Sequence, residues 1–267
     1  MRTDAGNPPL LTCRDVGKVW PATGQPFVAL DGIDLDVARN EFVVFLGPSG
    51  CGKSTLLYLI AGLERVTSGT IESGGSVVDG PGTDRGLIFQ ESSLFPWMTV
   101  GENVSFGLRL QGVAPARRRE TAITLLRKVG MADAVDKRPD QLSGGMRQRA
   151  AMARALSLRP EVLLLDEPFA ALDVQTRSKM QDFLIEVWRD SGASMLFVTH
   201  HIDEAVALAD RVVVFTARPG RIKSIVPIDL PRPRDQRSPE VRALADHLTD
   251  LLRDEVDRAF AEQERLR

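Results

Sequence analysis

Phe42-Val43-Val44-Phe45-Leu46, followed by Gly47-Pro48-Ser49-Gly50-Cys51-Gly52-Lys53-Ser54-Thr55, decides how the rest of the chain is read. The apolar run, with two β-branched valines, predicts a buried strand. The glycines let the next turn wrap closely around an anion, with backbone N–H groups facing it and Lys53 adding a point charge. Ser54-Thr55-Leu56-Leu57 then opens a helix whose positive end points at the same place, and the Ser54 hydroxyl is placed to ligate Mg²⁺. With a strand before it and a helix after it, the stretch predicts a nucleotide phosphate loop rather than an incidental glycine-rich turn.

Outward from that loop, 267 residues of which 43% are hydrophobic are enough for one sizeable domain and a small second lobe. A formal net charge of −2 gives no global electrostatic reason to expect nucleic acid, although charge alone excludes neither class of partner; no nucleic acid is expected. Cys13 and Cys51 are too few for a disulfide framework and fit a reducing compartment. Cys51 reads either as an oxidation-sensitive thiol or as a small residue tolerated in the loop. No apolar stretch approaches the ~20 residues that cross a bilayer, and the polar segment Met1 to Pro9 has no signal-peptide core. Any membrane role is therefore expected to pass through a partner chain.

Leu10 to Val19 and Phe27 to Val37 alternate apolar with polar residues, which predicts an antiparallel, half-exposed sheet with its turn at Pro21-Ala22-Thr23-Gly24. A strand from Gly86 ends at Gln90, and Ser92 to Trp97 is an apolar loop. From about Val100 to Gln141, Leu108, Leu110, Ile123, Leu125, Leu126 and Val129 fall on helical spacings, predicting an inserted helical lobe. Arg117-Arg118-Arg119 within it reads as a solvated helix face.

Two further strands carry chemistry at their carboxyl ends, where ligands bind in such sheets. Val162 to Leu165 delivers Asp166, suited to holding Mg²⁺ through water, and Glu167, suited to taking a proton from an attacking water. Ser194 to Thr199 delivers His200, a hydrogen-bonding group fitted to a γ-phosphate, before a helix near Asp203-Glu204. His201 has no such placement and reads as a surface residue. Downstream of the inserted lobe, Leu142-Ser143-Gly144-Gly145-Met146-Arg147-Gln148-Arg149 places an N-capping serine and two small residues at the positive end of another helix, an anion site with no phosphate in its own chain.

Taken in order, these residues resemble the ATPase subunit of an ATP-binding cassette transporter. The resemblance runs from Leu10 to about Ile222. It implies an α/β fold: a P-loop NTPase core with a mostly parallel sheet, an N-terminal antiparallel β subdomain and an inserted α-helical subdomain at about 98–157, the whole cassette covering 1–237. Gly47 to Thr55 corresponds to Walker A, Gln90 to the Q-loop glutamine, Leu142 to Gln148 to the signature, and Val162 to Glu167 to Walker B. Ala171-Leu172-Asp173 resembles the D-loop and His200 the switch histidine. Trp20 is similar to the aromatic that stacks on adenine, with Phe27 as the alternative.

The resemblance implies ATP and Mg²⁺ as ligands, the metal held by Ser54, Gln90 and Asp166 through water. It also implies a head-to-tail dimer in which Leu142, Ser143, Gly144, Gly145 and Gln148 of one copy close on the ATP of the other. Phe89-Gln90-Glu91, Leu94-Phe95-Pro96-Trp97, Ala209-Asp210-Arg211 and Ala217-Arg218-Pro219-Gly220-Arg221-Ile222 look most like the nitrate, sulfonate and taurine importer group. Such members act at the cytoplasmic face of the plasma membrane, with a separate permease pair and an extracytoplasmic substrate-binding protein. Leu94, Phe95 and Trp97 are then the candidate permease dock. The chain departs from the pattern at Asn40, Ser92, Ala170 and His201, none of which removes a catalytic group. Non-transport cassette ATPases of translation or DNA maintenance are the other class; those commonly join two cassettes or insert long coiled coils, and this chain has one cassette and no sustained heptads. The tail from 238 to 267 carries Val241, Leu244, Leu248, Leu251, Leu252, Val256 and Phe260 as one helical stripe, expected to pack on the cassette, with a partner-binding helix as the sharper alternative.

Overall fold

The structure is a computed structural model that describes residues 8–21, 26–170 and 172–265. The elements in chain order are β1 (Leu11–Trp20), β2 (Phe27–Val37), β3 (Phe42–Leu46), α1 (Lys53–Ala61), β4 (Ser68–Ser73), β5 (Ser76–Val77), β6 (Arg85–Ile88), α2 (Val100–Leu110), α3 (Pro115–Lys128), α4 (Gly144–Leu156), β7 (Val162–Asp166), α5 (Val174–Ser191), β8 (Ser194–Thr199), α6 (Ile202–Leu208), β9 (Arg211–Phe215), β10 (Ile222–Pro227) and α7 (Pro239–Arg265). They form two compact units. One combines the chain up to Gly82 with the chain from Ser194 onward; the other is Thr83–Ala193.

In the first unit, β3 lies between β8 and β9 and is parallel to both, while β10 adds to β9 in the antiparallel sense. All five residues of β3 are buried, as are β8 and Val212 to Phe215 of β9. A parallel strand with both neighbours present and both faces covered is apolar along its middle, which is why these three carry apolar runs, with polar residues only at strand ends: Ser194, Thr199 and Arg211. Phe45 meets Phe215 edge-on at 5.4 Å, and Asp210 fixes the start of β3 by accepting from Phe42 N–H at 2.9 Å. β2, β1, β4 and β5 make a second, antiparallel sheet in that order. Burial alternates along Ile33 to Val37 of β2, but the alternation expected of β1 is lost where its pairing with β2 shifts register between Cys13 and Val19, burying Val16, Gly17 and Lys18 in succession; Trp20 pairs with Phe27 at the end of the register. Residues 22–24 of the expected turn, and Met1 to Asn7 of the polar segment, lie outside the described residues.

α7 packs on α6 and β9 within this unit, burying Val241, Leu248 and Leu252. The stripe read from the sequence runs past the packed part: Val256 and Phe260 are exposed, Phe260 by 64%. No described helix is long and apolar enough to cross a membrane.

In the second unit, β6 and β7 pair in parallel, Arg85 opposite Val162 through Ile88 opposite Leu165. β6 stops at Ile88, so Gln90 stands two residues beyond the strand rather than at its end. α2, α3 and α4 share a core of Val100, Val104, Ala122, Leu126, Ala150 and their neighbours. Thr99 and Glu102 start α2 with a reciprocal cap, each side chain accepting from the other's backbone N–H. Leu126 and Val129 are buried as their spacing predicts, but Leu110, at the end of α2, points into solvent. Arg117 and Arg119 are exposed, Arg119 pairing with Asp136 at 3.2 Å.

Candidate functional site

In the first unit, the chain leaves β3 at Leu46 and turns through Gly47 to Gly52 into α1. Gly52 has φ +105, and a Cβ there would stand 2.7 Å from Leu30 Cδ2 and 2.8 Å from the Ala29 carbonyl oxygen. Both the conformation and the space demand glycine. Gly47, Pro48 and Cys51 are buried while Ser49 and Gly50 are exposed, which leaves the crest of the loop accessible. Lys53 is buried and donates from Nζ to the carbonyls of Gly47 at 2.8 Å and Pro48 at 2.9 Å, with Cys51 Sγ at 3.7 Å. Its ammonium is thus fixed inside the turn, and Ser54 and Thr55, both half-buried, follow on the first turn of α1. Burial pushes the Cys51 thiol up, and the adjoining Lys53 only partly offsets it.

Trp20 and Phe27, the two aromatic alternatives, are both half-buried, and each carries a cation over its ring. Lys18 Nζ lies 4.1 Å from the Trp20 centroid and the Arg218 guanidinium carbon 4.3 Å from that of Phe27. Lys18 is itself held by Glu64 at 3.1 Å and by the Arg65 carbonyl at 2.8 Å.

At the end of β8, His200 is exposed, and its ring lies 4.2 Å from that of His201 at 37°. His201, expected as a surface residue, keeps part of its surface in solvent. It is half-buried at the N-cap of α6, where its backbone N–H donates to Thr199 Oγ1 at 3.0 Å. Thr199 in turn donates to Glu204 Oε2 at 2.6 Å.

In the second unit, Asp166 is the last residue of β7 and is buried; Glu167, half-buried, follows with φ +43. A left-handed backbone at a non-glycine residue is uncommon and concentrates where a side chain must be aimed. The turn is closed by Ala170 N–H donating to the Glu167 carbonyl at 3.1 Å. Gln90 is exposed.

Ser143 caps α4, its Oγ accepting from Met146 N–H at 3.3 Å, and both Ser143 and Gly144 are exposed. A Cβ at Gly144 would come no nearer than 3.9 Å, to Arg147 Nη2, so nothing among the described residues requires glycine there. Two expected members of this group turn inward. Leu142 belongs to the helical core, and Gln148, 4% exposed, donates from Nε2 to the Phe89 carbonyl at 3.4 Å. Four residues past the exposed turn, Gln148 faces the body of its own unit, and its side chain ties α4 to the segment before Gln90. Asp173 caps α5, accepting from the N–H groups of Gln175 and Thr176 and from the Thr176 hydroxyl at 2.7 Å. The Thr176 backbone and hydroxyl hold its carboxyl below the usual range. Ala171 lies outside the described residues.

The candidate docking loop also divides. Leu94, 8% exposed, is part of the helical core and is withdrawn from any exposed surface; Phe95 is half-buried between Phe106 at 4.8 Å and Trp97 at 5.5 Å; Trp97 is 67% exposed. Asn103, fully buried on α2, shapes this loop, its Oδ1 accepting from Phe95 N–H at 2.7 Å and its Nδ2 donating to the carbonyls of Phe95, Met98 and Thr99. Arg154 adds bonds to the carbonyls of Ser93 and Ser92. Neither residue was singled out from the sequence; the only signal was a polar residue at an inward position of each helix. Among the described residues, no group of three or more His, Cys, Asp or Glu gathers on a metal position.

A buried parallel strand that opens through a glycine turn into a helix N-terminus, in a chain with a second strand ending in adjacent carboxylates, defines a P-loop nucleoside triphosphatase. The chain belongs to the ABC transporter family, whose pattern residues 30–170 match. It is 50% identical over 92% of its length, and 92% of the relative's, to an uncharacterized ABC transporter ATP-binding protein of Methanocaldococcus jannaschii. It is 46% identical to the nitrate import ATP-binding protein of Synechocystis, over 91% of this chain and 95% of that one. With the aliphatic sulfonates import ATP-binding protein of Bacillus licheniformis it shares 49% identity over 79% of this chain and 81% of that one. Its fold superimposes on the dimeric structure of a post-hydrolysis state of an ATP-binding cassette bound to ADP and Pi, with TM-score 0.74 and 29% identity over 82% of this chain and 99% of that one. The chain is an ABC-type ATPase, and ATP is its substrate.

Proposed function

We propose that this chain energises an importer of small anions such as nitrate or sulfonates, working as a homodimer at the cytoplasmic face of the plasma membrane beneath separate permease subunits. An extracytoplasmic binding protein would deliver the solute. The main support is that relatives aligned along most of the chain are named for nitrate and sulfonate import. Supporting the homodimer, the exposed Ser143-Gly144 turn has a glycine that none of the described residues requires, as a surface kept clear for another molecule would.

In this reading residues 1–237 are the cassette, with the helical insertion at about 98–157, and 238–267 are an extension. Gly47 to Thr55 holds the triphosphate, Lys53 adding positive charge, and Trp20 stacks on adenine. Ser54, Gln90 and Asp166 through water offer hard oxygen donors, which suit Mg²⁺; the ion, when bound, neutralises charge on the β- and γ-phosphate oxygens. Glu167 takes the proton of the attacking water and His200 donates to the γ-phosphate. Ser143, Gly144 and Gly145 face the second copy's ATP, beside Asp173. Phe95 and Trp97, without Leu94, contact the permease.

The experiment is a tagged pull-down from gently solubilised native membranes with mass spectrometry of the co-purifying chains. A multi-span permease, with or without a binding protein, is the expected result. Ribosomal or DNA-associated partners and no permease would overturn the importer reading and leave the ATPase standing.

A further inference from the structure

One carboxylate of the C-terminal helix is tied to the turn that abuts the phosphate loop. Glu255 of α7 is 2% exposed. Its Oε2 accepts from the Ala217 backbone N–H at 2.9 Å, its Oε1 from the Lys223 ammonium at 2.7 Å, and the Arg258 guanidinium stands 3.8 Å away. Burial pushes the carboxyl up, but the hydrogen bonds from Lys223 and Ala217 and the charges of Lys223 and Arg258 outweigh it and hold the group below its ordinary range.

Ala217 lies in the turn that joins β9 to β10. Thr216 closes that turn, its Oγ1 accepting from Arg221 N–H and donating to the Pro219 carbonyl, both at 3.0 Å. The turn also abuts the phosphate loop. Arg218 donates from Nη2 to the Gly50 carbonyl at 3.3 Å while stacking on Phe27. Gly220 donates to the Ala29 carbonyl at 3.0 Å and accepts from Asp31 N–H at 3.1 Å. A Cβ at Gly220 would lie 2.0 Å from the Cys51 carbonyl oxygen, so the two backbones touch there. One turn is therefore tied to α7 at Ala217 and rests against Gly50 and Cys51.

We propose that Glu255 is a positioning residue for ATP binding: by fixing the 216–221 turn it holds Gly50 and Cys51 in the shape that receives phosphate. The C-terminal helix thereby sets nucleotide affinity. This rests on the reading that Gly47 to Thr55 holds the triphosphate. Helix docking alone does not call for Glu255. Val241, Leu248 and Leu252 already seat α7, and a buried ion pair is often no more stabilising than apolar residues of the same shape. What the carboxylate adds is a directed bond to one N–H of the turn.

The test uses the full-length chain, a fluorescent ATP analogue titrated to equilibrium, steady-state hydrolysis and a thermal melt for each variant. Glu255→Ala should weaken nucleotide binding about tenfold with kcat at saturating ATP within about twofold. Glu255→Gln keeps an acceptor for Ala217 N–H and should recover most of the affinity. Arg218→Ala should weaken binding comparably, and the double variant should bind no worse than about the weaker single one, since both act through one turn. Leu248→Ala empties the buried stripe of α7 and should lower the melting temperature with affinity unchanged. Wild-type affinity in folded Glu255→Ala, or an equal loss in Leu248→Ala, would overturn the proposal. If Glu255→Ala does not fold, wild-type affinity in Arg218→Ala overturns it. Wild-type affinity in Lys53→Ala would instead remove the phosphate-loop reading beneath it.

Discussion

Thr199 donates its hydroxyl proton to Glu204 Oε2 across 2.6 Å, joining the last residue of β8 to α6 with both side chains buried. His200 is the residue carried between them. Thr199→Val preserves the shape and removes both this donor to Glu204 and the acceptor of the His201 backbone N–H. A loss of about 1–3 kcal/mol of stability is expected, with kcat lowered more than ATP affinity as the His200 backbone loosens. Urea unfolding together with hydrolysis assays reads both; an unchanged unfolding midpoint would show that the Thr199 hydroxyl contributes nothing.

Glu167→Gln should slow hydrolysis by about 10² or more while ATP binding persists, because the amide keeps the shape but cannot take a proton. Single-turnover hydrolysis and equilibrium binding on the same preparation separate the two quantities. Near-normal turnover would remove Glu167 as the base.

Neither Ser143→Arg nor Lys53→Ala subunits should hydrolyse ATP alone if each site is shared between copies. Mixing them should restore activity through one composite site carrying both wild-type segments. A mixture as inactive as its parents would count against sharing.

Both cysteines are buried, and burial pushes the Cys13 thiol up to about 12 and raises that of Cys51. At neutral pH both are therefore protonated thiols, which are poor nucleophiles. Iodoacetamide should leave the native chain unmodified and label both residues after denaturation, as mass spectrometry would report. Labelling of native Cys51 at the rate of a free thiol would restore the oxidation-sensitive reading.

What the sequence made legible was whatever local pattern alone determines. β3, β7 and β8 announce themselves because strands buried on both faces are apolar along their middle, and the Gly47 to Thr55 turn because its backbone leaves few alternatives. The family relationship and the α/β fold follow from those elements. Side chains whose direction depends on distant partners were not legible. Gln148 turns inward to Phe89, 59 positions away, and Glu255 meets Ala217 across 38, distances at which periodicity carries no information. Leu94 sits in an irregular loop, where an apolar residue gives no sign of facing the core or solvent until Asn103 sets the loop's path. The far end of α7 shows the converse: Val256 and Phe260 continue the helical stripe past the surface that buries it.

The chain leaves the first unit at Gly82 and returns at Ser194, and β3 takes both its parallel neighbours, β8 and β9, from the returning part. On a ribosome, the segment carrying the phosphate loop is thus synthesised long before either strand that flanks it. At about 5–20 residues per second the wait is on the order of ten to thirty seconds, while Thr83–Ala193, one uninterrupted stretch, has all its own strands and helices in hand first. During that interval Phe42 to Leu46 is an apolar strand with two open edges, the kind of surface a chaperone shields.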